Sequence, residues 1–92
     1  MDHIALYSAA SRVIDLVEKQ KLTHVSADIL TSIKNQMIFI RDNAAVGKNP
    51  SNQLTSGTKL TYAILASREL TSPDDIALNQ LIDEVTKILL AR

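Results

Sequence analysis

Few residues of this chain are of types that do chemistry, and their spacing decides what they could do. The only histidines, His3 and His24, stand about 20 residues apart with no HExxH or other i, i+4 ligand pair between them. They read as surface residues and not as metal ligands. Asp74 with Asp75, and Asp83 with Glu84, have the look of paired carboxylates for acid and base work. The first pair is equally explained by capping of a helix N-terminus. Asp83 stands four residues before Lys87, the favourable order for a surface ion pair. The run "GKNPSNQLTSGTK" has glycines and a lysine but lacks the GxxxxGK[ST] spacing, and no strand precedes it, so it is no phosphate cradle. No enzyme activity, cofactor or metal is therefore expected.

The elements that would position these residues are helical. At 92 residues, with 46% hydrophobic and 22% charged residues, the chain is expected to form one globular domain over 1–92. Three aromatic residues make that core aliphatic, and the lack of cysteine excludes disulfides and thiolate metal sites. Ten basic and ten acidic residues cancel, five of each in residues 1–46 and five of each in 47–92, so neither half attracts nucleic acid or anionic lipid over a distance. The N-terminus lacks the basic segment and apolar run of a signal peptide, and no uncharged run approaches the roughly 20 residues that cross a bilayer. A cytoplasmic location follows as the expectation.

Periodicity predicts four helices. Leu6, Ala9, Ala10, Val13, Leu16 and Val17 form a stripe over residues 2–20. Ile29, Ile33, Met37, Ile40 and Ala44 form a second over 26–46, with Ser26 as cap and Gly47 as terminator. A third helix is predicted over 50–70, opened by Asn49-Pro50, with Leu54, Leu60, Ile64 and Leu65 turned inward. Gly57, on its apolar side, points to close approach of a neighbouring helix or to a ligand or partner contact. In "TSPDD" Ser72 caps and Pro73 begins a fourth helix over 73–91, with Leu78, Leu81, Ile82, Val85, Ile88 and Leu89 inward. Short connections favour an all-α, antiparallel up-down-up-down four-helix bundle.

Other residues test for a partner. The segment "KLTHVSAD" could imitate the turn of a helix-turn-helix, but the helix after it offers only Lys34, Asn35 and Arg41, opposed by Asp28 and Asp42. Nucleic acid is not the expected partner. Ile38, Phe39, Ile76 and Leu90 fall off the stripes. Gathered, they would make a binding patch; singly, they are ordinary surface. Phe39 is expected at the edge of the core and Leu90 in solvent, while Arg68 should snorkel and cap carbonyls at the end of the third helix. A general helical adaptor, or a weak dimer through such a patch, is one reading of this surface.

The second half carries a resemblance. The run "IRDNAAVGKNPSNQLTSGTKLTYAILASRELTSPDDIALNQLIDEVTKIL" resembles the bacteriocin immunity proteins of the enterocin A and pediocin-like (class IIa) group, through the "GKNP" corner, the "ASREL" helix end and the "TSPDDIALNQLIDEV" helix start. The likeness covers about residues 20–90. It implies a small cytosolic antiparallel four-helix bundle that protects a cell from a pore-forming peptide. Protection in that group is attributed to a complex with the mannose phosphotransferase permease carrying bound bacteriocin, and specificity to the C-terminal half. Members of the group commonly extend past the last helix, whereas this chain stops at "ILLAR". Discrimination is therefore expected on the third and fourth helices and their turn, at Arg68, Glu69, Thr71, Asp83, Lys87 and Leu90.

Overall fold

A computed structural model describes residues 2–19, 25–53 and 60–90. Among them are four α-helices and no strand: α1 (His3–Lys19), α2 (Ala27–Ala45), α3 (Tyr62–Glu69) and α4 (Ile76–Leu90). One hydrophobic cluster draws on all four helices.

Each long helix forms where an apolar stripe meets a good terminus. Asp2 starts α1, its Oδ1 accepting from the Ala5 amide at 3.0 Å. Ser26 starts α2 as expected, its Oγ accepting from the Asp28 amide at 3.3 Å. The end of α2 is a Schellman motif: Gly47 N–H donates to Ala44 and Lys48 N–H to Asn43, with Gly47 at φ +73. That is why glycine stands at 47, and it makes the corner structural.

The stripes of α1, α2 and α4 supply the core. Leu6, Val13, Ile33, Met37, Ile40, Leu78, Ile82 and Val85 are fully buried, and Ile14, which the first stripe omits, joins them. Leu16, Val17, Ile29, Leu81, Ile88 and Leu89 pack around them as partly buried neighbours. Ile38 does the same, and Phe39 is half-buried, which fits edge packing for both.

The predicted third helix needs correction. Pro50–Gln53 is a 3-10 turn, Leu60 and Thr61 are non-helical, and α3 runs only from Tyr62 to Glu69. A new helix starts at Tyr62 because Gln36 of α2 accepts both the Thr61 and the Tyr62 amide on its Oε1. This start turns Tyr62 and Ala66 inward, four residues apart. Ile64, about 200° round the axis from Tyr62, is 56% exposed and not inward as expected. Leu54 and Gly57 lie outside the described residues. The fourth start is also modified, since Pro73–Asp75 form a 3-10 turn before α4. Asp75, fully buried, accepts the Ser72 amide on its Oδ2 at 3.0 Å, one arm of a capping box.

Contacts along the helices agree with the up-down-up-down order. Glu18, late in α1, pairs with Lys34 in the first half of α2 at 3.0 Å, while His3, Ile4 and Tyr7 share a cleft with Ala44 and Ala45. In α3 and α4, Tyr62 meets Thr86 and Leu70 meets Asn79.

Candidate partner-binding surface

The surface around α3 and α4 is built on a helix of eight residues clipped at both ends. Thr61 makes no side-chain cap of its own, so the N-terminal amides of α3 are satisfied by Gln36 across the helix interface, at 2.7 Å each. Gln36 Nε2 also donates to Thr61 Oγ1 at 3.0 Å and to Ser32 Oγ at 3.3 Å, which fixes which way the amide faces. At the other end Asn79 Nδ2 of α4 donates to the Leu70 carbonyl at 2.7 Å. Between them the Tyr62 hydroxyl bonds Thr86 Oγ1 at 3.0 Å. Burial raises the Tyr62 pKa above its ordinary 10.0, and the hydrogen bond to Thr86 offsets part of that rise. The phenol is thus held protonated.

On this frame the six expected contact residues are all exposed. Asp83, Lys87 and Leu90 lie within about 60° of one another around α4, opposite Leu78, Ile82 and Val85. Leu90 is 75% exposed, as expected, and shares a shallow cleft with Leu60, Tyr62, Ala63, Thr86 and Leu89. Arg68, Glu69 and Thr71 belong to the other end of α3, where Leu70 meets Asn79. The rise from Asn79 to Leu90 along α4 is about 16 Å, so the six are spread along the two helices and are not one tight cluster.

Two expected roles are corrected. Among the described residues no hydrogen bond runs from Arg68 to a carbonyl of α3; the Leu70 carbonyl accepts from Asn79, and Arg68 is exposed. Asp83 and Lys87 do not form an ion pair; the ion pairs between described residues are Glu18 with Lys34 and Arg41 with Asp42. Those pairs also neutralise two of the three side chains that α2 could offer to a nucleic acid.

A second exposed surface was missed in the sequence. Ile4 (84% exposed) and Tyr7 line a cleft with His3, Ala44 and Ala45, and Val46 (67% exposed) follows Ala45 in the chain. His3 is not a plain surface residue there, because its Nδ1 is buried without a hydrogen-bond partner among the described residues. The available signal was Ile4 and Tyr7, apolar residues three apart that the α1 stripe leaves out. His24 lies outside the described residues. Among those residues no group of three or more His, Cys, Asp or Glu is placed to hold a metal, and no helix is long and apolar enough to cross a membrane. Of the carboxylate pairs, Asp75 is engaged in capping, and Asp83 and Glu84 are open to solvent.

Comparison with known proteins gives one match. The sequence model of the family described as Tsi6 matches residues 5–90, which reaches from α1 to the end of α4. No curated protein and no solved structure matches the chain.

Proposed function

The chain belongs to the Tsi6 family, an immunity-type protein family, and from that premise we propose that it is a toxin-immunity protein that acts by binding and not by catalysis. The family match over residues 5–90 carries the reading. The side chains support it: the polar groups nearest the core, Gln36, Asn79, Tyr62 and Asp75, are engaged in holding helices. What the molecule offers outward is a face of mixed charge with single apolar side chains, suited to recognition of another protein.

In its specific form the reading takes a class IIa pore-forming bacteriocin as the toxin. The partner is then the mannose phosphotransferase permease with bound bacteriocin, met from the cytosolic side by an antiparallel up-down-up-down bundle. Arg68, Glu69, Thr71, Asp83, Lys87 and Leu90 supply the contacts. This form is supported by the resemblance of the "GKNP", "ASREL" and "TSPDDIALNQLIDEV" segments; the family match supports toxin immunity in general.

Expression in a sensitive strain tests both levels. The lethal dose of each member of a class IIa bacteriocin panel is compared between expressing and control cells, alongside the toxicity of the neighbouring gene's product with and without this chain. A raised dose for any pediocin-like peptide supports the specific form. Rescue from the neighbouring product alone keeps immunity and replaces the target. Protection from neither removes the immunity reading in favour of a helical adaptor that binds through Ile38, Phe39 and Leu90.

A further inference from the structure

We propose that α3 is a clip-on helix: it opens and closes as one unit on a core made by α1, α2 and α4, and Gln36 sets the balance. Three observations carry this. The large, fully buried aliphatic side chains come from α1, α2 and α4, whereas α3 contributes Tyr62 and Ala66, each with some residual exposure. Leu6, Val13, Ile33, Met37, Ile40, Leu78, Ile82 and Val85 all stand on α1, α2 and α4, so the bulk of the core is supplied by those three helices. Opening is therefore local.

Next, α3 cannot hold itself. Eight residues fall short of the roughly 12 to 15 at which even good helix formers become marginal in water. Its first amides have no cap from the residue before them. Their acceptor is a side chain 25 and 26 residues back in the sequence, on α2. Helix formation and docking are thereby one event, because the cap exists only when α3 lies on α2.

Third, polar clips hold both ends of a short apolar face made by Tyr62, Ala66 and Leu70. Gln36 holds Thr61 and Tyr62, Asn79 holds Leu70, and Thr86 holds the Tyr62 hydroxyl. Such an arrangement releases together, since losing one end leaves a single turn beside the other. A partner that binds better with α3 docked, or better with it released, would shift its population without disturbing the rest of the core. This does not depend on what the partner is.

Hydrogen exchange of the intact chain tests it without a partner. The amides of Leu65 to Leu70 are expected to exchange at least roughly tenfold faster than the core amides of α1, α2 and α4. Gln36→Leu should speed the α3 amides by a further factor of about ten, leaving the α1 and α4 core amides at their wild-type rates. Asn79→Leu, at the other end and on another helix, should act on the same α3 amides. Gln36→Glu keeps the acceptor and should keep the protection. Equal protection of α3 and the core in the wild-type chain overturns the proposal. So does a rise in exchange that spreads evenly over all four helices in both the Gln36→Leu and Asn79→Leu proteins.

Discussion

Gln36 Oε1 lies 2.7 Å from the amide nitrogen of Tyr62 and caps a helix to which Gln36 does not belong. The same oxygen takes the Thr61 amide. Replacing Gln36 by leucine leaves the part-buried Tyr62 amide unsatisfied and the exposed Thr61 amide to solvent, so a loss of about 1–3 kcal/mol is expected in urea denaturation. Glutamate restores an acceptor and adds a charge favourable to a helix N-terminus, so Gln36→Glu should lose about half as much or less.

Tyr62 makes stability depend on alkaline pH. Its pKa is raised in the folded chain, so the folded state holds the phenol proton more tightly than the unfolded state, where it leaves near 10.0. The contribution is complete below pH 10 and is lost as pH rises through the folded pKa. Melting temperature measured between pH 8 and 11 should therefore fall above pH 10, and Tyr62→Phe should flatten that fall. Tyr7→Phe, at an exposed tyrosine, should not.

Gly47 stands at φ +73 with open space where a Cβ would sit. The cost of Gly47→Ala is then backbone strain alone, about 1 kcal/mol, and Gly47→Asn should cost less because asparagine tolerates the left-handed region. The pair of melting curves separates strain from crowding, since crowding would make asparagine the worse substitution.

Asp75 and Asp83 are both aspartates of the fourth helical segment, in opposite settings. Asp75 is fully buried and accepts the Ser72 amide, so Asp75→Ala should destabilise by about 1–3 kcal/mol. Asp83 is exposed and makes no ion pair with Lys87, so Asp83→Ala should stay within about 0.5 kcal/mol of wild type.

These contrasts show which parts of the fold were legible. The stripes of α1, α2 and α4 run 15 to 19 residues, long enough for a 3.6-residue period to separate inside from outside. Ser26 and Gly47 announced their roles because a cap is written within three residues of what it caps. The cap of α3 is not written locally, since it is Gln36, and the Ser56-Gly57 pair before Thr61, predicted as helix interior, also suits a break. Reading on from Pro50 as one helix put Ile64 inside, when the restart at Tyr62 turns it out. The surface is legible only in part for a related reason. Ile4 and Tyr7 meet Ala44 and Ala45 because the ends of α1 and α2 meet, which no single stripe reveals.

The two exposed surfaces make opposite predictions for protection. If the α3–α4 face contacts the toxin complex, Arg68→Glu and Lys87→Glu should abolish much of the rise in lethal dose while leaving the melting temperature unchanged, because both side chains are exposed and neither is in an ion pair among the described residues. Charge reversal at an interface rim acts mainly on association rate, so the loss should shrink as salt rises. Leu90→Asp should weaken protection at every salt concentration, since what it removes is apolar contact. Ile4→Asp and Val46→Asp stand as the comparison on the other surface. Full protection by those two, with loss at Arg68, Lys87 and Leu90, places the contact on α3 and α4; the reverse pattern moves it to the cleft beside His3.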